Sequence, residues 1–389
     1  MRLLLNPAFL FLLIWGGLGL YSLRLSEVLE PLTGETIYLV LSCILAFCLS
    51  FFIYKVLVPK SVFFPCFDLS RNSRQLFLKS TGYKVKMIGL SWFFLSLVEL
   101  YWAGNFPLFS LLGFGSYINY VDFGIGGLHG FLNAIYLFLI CYLFLRARAS
   151  NMKIYWILLV ALLLWPVLLT TRQLILSSFL QILFIYIFTA RINVKVVFFV
   201  LLSSAFALLI FGYLGDIRSG REHIIEISKP VFEYPDTLPS VFIWVYMYIV
   251  TPLNNINHNI VDVEPLYFPF NSIISLLPSF LREHVFLLIG QSDEMNLVSE
   301  SFNVSSFFKP FLLDFGYIMI SFVMFFIASI FMIIMHLSSS KIMHVIIMSI
   351  FLHSIVLSVF ANSITHVVFV FEMLLVVFVF KIKLKRVNI

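Results

Sequence analysis

Four arginines, two histidines and one glutamate carry the side chains most suited to chemistry in this chain, and that chemistry is work on a phosphate-bearing substrate. Arg172 sits in Leu169-Thr170-Thr171-Arg172-Gln173, a tight turn between two long apolar runs. A guanidinium held at a membrane surface and flanked by hydroxyls can donate two parallel hydrogen bonds to phosphate oxygens. The plainer alternative is a snorkelling arginine on ordinary lipid headgroups. Further on, Gly215-Asp216-Ile217-Arg218-Ser219-Gly220-Arg221-Glu222-His223 follows directly on an apolar run. If that helix continues, Arg218, Arg221 and Glu222 fall at i, i+3 and i+4 and share one face. Two guanidiniums beside a carboxylate could grip a diphosphate and place a base next to it; the alternative is a solvated helix end with an internal Arg218 and Glu222 pair. Arg282 is a further cation, and Glu222, His258 and His284 are candidates to take a proton from a hydroxyl.

Other titratable groups are more dispersed. Asp122, Asp216, Asp262, Glu264, Glu283 and Asp314, with His129 and His223, fall in the same set of loops. Asp314 opens an apolar helix, where a carboxylate suits the helix dipole. Glu99, Glu372, His336, His344, His353 and His366 lie within or at the ends of apolar runs without mutual spacing. No Asp-x-Asp pair, P-loop or His-Glu-x-x-His is present, so nucleotide-dependent and metal-dependent chemistry is disfavoured, and neither a metal nor a cofactor is expected.

The elements that must position these residues are membrane helices. The chain is 61% hydrophobic and 11% charged, with a mean hydropathy of +1.04, which leaves too little polar surface to cover a water-soluble globule. Apolar runs long enough to cross a ~30 Å hydrocarbon core recur along most of it. They lack in/out alternation, which excludes a β-barrel. The first run is too long for a secretory signal and has no cleavage site, so it reads as a membrane helix. Cys43, Cys48, Cys66 and Cys141 show no disulfide or zinc spacing.

The expected fold is an all-α polytopic integral membrane protein with about ten transmembrane helices, at 3–23, 36–58, 87–103, 128–145, 154–171, 173–190, 196–213, 311–336, 343–360 and 364–380. Lys60, Arg71, Arg74, Lys79, Lys84 and Lys86 crowd one linker, and Lys381, Lys383, Lys385 and Arg386 crowd the tail. By the positive-inside rule both are cytoplasmic, as are both termini. The segments 104–127 and 215–310 then face outward. Within the latter, 239–253 and 266–289 read as interfacial or re-entrant helices, with a twelve-span arrangement as the alternative. The organisation is helices one to seven over 1–213, a large periplasmic segment over 214–310, and helices eight to ten with a basic tail over 311–389.

Several segments, taken in order, resemble bacterial O-antigen or oligosaccharide repeat-unit polymerases of the Wzy type. They are Gly104-Asn105-Phe106-Pro107-Leu108, Asn119-Tyr120-Val121-Asp122-Phe123-Gly124-Ile125-Gly126-Gly127-Leu128-His129-Gly130, Thr171-Arg172, the run from Gly215 to Arg221, Thr251-Pro252-Leu253-Asn254-Asn255, and the run from Asn303 to Gly316. The resemblance implies a GT-C-like glycosyltransferase at the outer face of the bacterial inner membrane. Such an enzyme moves a glycan from undecaprenyl pyrophosphate to the non-reducing end of a new lipid-linked repeat unit, without metal or nucleotide. Arg172, Arg218, Arg221 and Arg282 would neutralise the pyrophosphate, and Glu222, His258 or His284 would deprotonate the acceptor. Lipid-linked oligosaccharides and membrane lipids are the expected partners, with room for a chain-length regulator and no nucleic acid. An O-antigen ligase and a lipid-linked oligosaccharide flippase are the competing readings.

Overall fold

The computed structural model describes residues 5–58, 82–120, 122–150, 152–190, 193–289, 295–337 and 341–381. Cys66 and the basic residues Lys60, Arg71, Arg74, Lys79, Lys383, Lys385 and Arg386 lie outside them. Among the described residues the regular structure is all helical. Among these residues six helices are long and apolar enough to cross a membrane: Gly34–Leu57, Gly82–Leu111, Leu128–Ala149, Arg172–Thr189, Val194–Ile217 and Lys309–His336. Shorter apolar helices cover Pro7–Ser22, Lys153–Leu168 and Ile342–Leu357. The chain is thus an all-α membrane protein, and it divides into two compact units.

One unit comprises residues 1–64, 192–336 and 352–366. Its helices are α1 (Pro7–Gly16), α2 (Leu18–Ser22) and α3 (Gly34–Leu57), then α9 (Val194–Ser219), α10 (Arg221–Ser228), α11 (Val241–Asn259), α12 (Phe270–Ile274), α13 (Ser279–Ile289) and α14 (Lys309–Leu337). The second unit comprises 65–191, 337–351 and 367–389. It holds α4 (Gly82–Ala103), α5 (Pro107–Leu111), α6 (Leu128–Ala149), α7 (Lys153–Leu168), α8 (Arg172–Thr189) and α16 (Val367–Lys381). Helix α15 (Lys341–Leu357) contributes to both.

Helix α11 is the internal helix of the first unit and packs against α2, α3, α9 and α10. Most of its residues are buried, from Val241 and Trp244 through Met247 to Asn259. The 266–289 stretch breaks into α12 and α13, of 5 and 11 residues. At 1.5 Å per residue the longer reaches about 17 Å, well short of the hydrocarbon thickness.

Where α9 crosses α11, the backbones come very close. A Cβ built on Gly212 would lie 2.7 Å from the Val241 Cα, so any side chain there must push the two helices apart. Gly212→Ala is expected to lower stability by about 1–3 kcal/mol, the range for overpacking. Thermal unfolding of the purified protein in detergent checks this.

In the second unit α6 is central, packing on α4, α7, α8 and α16. It also explains two groups that were scattered in the sequence. Cys141 Sγ donates to Gln181 Oε1 at 2.9 Å, and Gln181 Nε2 donates to Glu372 Oε2 at 3.0 Å. Glu372 is fully buried, with Oε2 bonded to Gln181 and Oε1 without a described partner.

Candidate functional site

The site grows out of the polar end of α11. Its last turns read Asn254-Asn255-Ile256-Asn257-His258-Asn259, and all four asparagines are buried. A carboxamide both donates and accepts, so it can hold an irregular segment by its backbone. Asn254 and Asn257, three residues apart, share a face and hold the segment after α2. Asn254 Oδ1 accepts from Glu30 N at 3.0 Å while its Nδ2 donates to Val28 O at 3.0 Å. Asn257 Oδ1 accepts from Thr33 N at 2.8 Å and its Nδ2 donates to Pro31 O at 3.0 Å. Asn255 and Asn259, four apart, hold the segment before α14. Asn255 Nδ2 donates to Phe302 O at 2.7 Å and Val304 O at 2.9 Å. Asn259 exchanges two hydrogen bonds with the backbone of Asn296, at 2.8 and 3.0 Å.

A third wall is α10. Glu27 N donates to Lys229 O at 2.9 Å, Val231 N donates to Leu25 O at 3.1 Å, and the Ser26 hydroxyl donates to Ser228 O. Between these three walls lies a cleft of about 830 Å³, lined among others by Glu27, Glu30, His223, Glu226, Lys229 and Ser299. Three carboxylates face one ammonium there, so the cleft disfavours an anion and offers many acceptors to hydroxyl groups.

His258 occupies the α11 position four residues after Asn254, on the side that meets the same segment. Its Nδ1 lies 2.9 Å from Glu30 Oε1, with both side chains about two-fifths exposed. With Glu30 ionised, Nδ1 carries the proton and donates it to the carboxylate. Nε2 is then left as an acceptor, which is the arrangement a general base requires.

The remaining candidates are placed elsewhere. The shared face expected for Arg218, Arg221 and Glu222 is not present. α9 ends at Ser219, and Gly220, at φ +86°, takes the backbone into the left-handed region before α10 starts at Arg221. Arg218 closes α9, and its side chain lies outside the described set. Arg221 donates to Pro235 O at 3.1 Å and Leu238 O at 3.3 Å and stands 3.9 Å from Asp236, so it holds the 235–238 loop. Glu222 is exposed in the first turn of α10, one position from His223. His284 turns its Nδ1 to the carbonyl of Phe280, 2.8 Å away on its own helix. Arg282 lies partly buried on α13. Glu30 lines the cleft, whereas His258, Arg221, Glu222, Arg282 and His284 do not.

Asp314 proves to be a fastener. Fully buried, it accepts from Asn271 N at 2.7 Å, Asn271 Nδ2 at 2.9 Å, Ser272 N at 2.8 Å and the Ser272 hydroxyl. It therefore satisfies the first turn of α12 rather than that of its own helix. Gly316, at φ +68°, kinks α14 just beyond it. Asp216 likewise joins α9 to α11, accepting from Trp244 Nε1 at 2.9 Å and from the Ser240 hydroxyl.

In the second unit, Arg172 is the first residue of α8 and is 8% exposed. Glu99 and His129 form another carboxylate–histidine pair at 3.1 Å, and Glu99 also accepts from Ile125 N at 3.1 Å. Gly124 is required beside them: its φ is +105°, and a Cβ there would meet His129 Nδ1 at 2.7 Å.

Sequence reasoning missed Glu27, Glu30 and Glu226. The available signal was the asparagine run: four amides closing an apolar helix imply backbone segments to hold, and Glu30 is on one of them. Among the described residues no group of three or more His, Cys, Asp or Glu side chains is arranged to hold a metal ion. In comparisons with protein-family models, curated proteins and solved structures no match was found, so the reading of this site rests on its own geometry.

Proposed function

We propose that the protein is a polymerase of undecaprenyl-pyrophosphate-linked oligosaccharide repeat units, with the cleft as the seat of the acceptor sugar. The observation that carries this reading is the Glu30–His258 pair at 2.9 Å, beside an acidic cleft of about 830 Å³ in a chain otherwise built for lipid. A cavity of that size takes one or two sugar rings, within the range of small-ligand sites.

The step is a glycosyl transfer. An acceptor hydroxyl gives its proton to His258 Nε2 as its oxygen bonds to the anomeric carbon of the donor glycan. The bond from that carbon to the pyrophosphate oxygen breaks, and its electron pair leaves with the carrier. Glu30 keeps the imidazole in the accepting tautomer and offsets the positive charge it gains. The leaving group is an anion and suits arginines rather than the cleft. Arg172, in the other unit, is a phosphate-binding candidate in its own right, since a buried guanidinium interacts with charge in a weakly screened setting. Arg218, Arg221 and Arg282 add positive charge to the first unit. Both termini are cytoplasmic in this reading, ten helices cross the inner membrane, and cleft and arginines face the periplasm.

The test is a gel of surface polysaccharide from cells lacking the protein, complemented with wild type, Arg172→Ala or Arg172→Lys. The expected result is a ladder collapsed to one capped repeat for Arg172→Ala, and shortened chains for Arg172→Lys, which keeps charge but loses the fork. Loss of all capped material while polymer accumulates on the carrier would indicate a ligase instead. Loss of both would indicate a flippase.

A further inference from the structure

The turn that delivers Arg172 contains a second residue that the transfer reaction has not yet used. Thr170 has φ +55°, an unusual region for a β-branched residue. It is 6% exposed, and its Oγ1 is buried without a hydrogen-bond partner. A buried hydroxyl in that state is open to a partner from outside the chain. Its neighbour Thr171 is the N-cap of α8 but does not cap it, because its hydroxyl is directed to Pro166 O at 3.4 Å. The first turn of this 18-residue helix contains no acidic side chain. The positive end of the helix dipole and the Arg172 guanidinium therefore sit together, an arrangement that favours an anion.

We propose that Thr170 is a positioning residue for a phosphoryl group: its hydroxyl donates to a phosphate oxygen that the Arg172 fork and the open end of α8 also hold. This rests on the reading of Arg172 as the carrier's phosphate ligand. It adds that the turn is strained in order to aim a hydroxyl. The shared ligand chemistry is a phosphate ester, which either the pyrophosphate carrier or a phospholipid headgroup can supply.

The test uses the full chain in nanodiscs of phosphatidylcholine, titrated with undecaprenyl pyrophosphate in one arm and phosphatidylglycerol in the other. Binding is read as a rise in melting temperature. Thr170→Ser keeps the hydroxyl, Thr170→Ala removes it and keeps the strain, and Thr170→Gly removes it and relaxes the backbone. The expected result is wild-type affinity for Thr170→Ser and about tenfold weaker binding for both others. The unliganded Thr170→Gly protein should melt no lower than wild type, since glycine suits a positive φ. A hydroxyl dependence confined to the pyrophosphate arm assigns the site to the carrier, and the same dependence with phosphatidylglycerol assigns it to headgroups. Equal affinity across the three variants, with Arg172→Ala still impaired, overturns the role of Thr170 alone. An absence of anion binding by wild type overturns the phosphate reading of Arg172 as well.

Discussion

Replacing His258 by alanine is expected to slow repeat-unit transfer by about 10²–10⁴-fold, the usual contribution of a positioned general base. The loss should fall on the transfer step and leave the binding of lipid-linked substrate nearly unchanged. Stability should move little, because the side chain is about two-fifths exposed and its one described partner, Glu30, is similarly open. Glu30→Gln should lie between wild type and His258→Ala, since a carboxamide can still accept from Nδ1–H but does not offset the charge the imidazole gains. The measurement is chain growth in vitro from purified lipid-linked repeat units, with each variant's melting temperature recorded alongside. Undiminished growth by His258→Ala would remove the pair from the chemistry. Equal loss in His258→Ala and Asn254→Ala, with both proteins unfolded earlier, would reduce it to a structural contact.

The second large effect is on stability. Asp314→Ala strands the donors of Asn271 and Ser272, both of which are buried. Leaving several buried donors without acceptors should cost about 3 kcal/mol or more. Asp314→Asn should recover little, because a carboxamide has a single acceptor oxygen and turns an N–H₂ group toward groups that themselves donate. Earlier thermal unfolding, together with faster proteolysis in α12 and α13, is the expected readout. Unchanged melting accompanied by lost polymer would contradict the fastening role and place Asp314 among the groups that touch substrate.

The ten apolar runs read as spans fall on helices among the described residues, six of which are long and apolar enough to cross a membrane, because length and hydropathy specify a segment that must satisfy its own backbone in lipid. The candidate site was much less legible. His258 was visible as a histidine in a polar segment, yet its partner Glu30 lies 228 positions away, a separation that no local spacing rule covers. Glu222 looked like a partner of Arg218 and Arg221 only while α9 was assumed to continue, and Gly220 ends that assumption with one backbone angle. Asp314 carried the right clue, a carboxylate at a helix start. The helix start it serves belongs to a different element, and only the folded chain brings the two together.

The asparagines of α11 also impose an order of events on the growing chain. The segment they hold, residues 28–33, leaves the ribosome more than 200 residues before Asn254 and Asn257 exist, as the 224-residue separation of Glu30 and Asn254 requires. During that interval Val28 O, Glu30 N, Pro31 O and Thr33 N lack the asparagine partners that hold them in the folded chain. The cleft therefore cannot assemble as the helices enter the membrane one by one. It closes late, once α11 has been made and packs against α2, α3, α9 and α10.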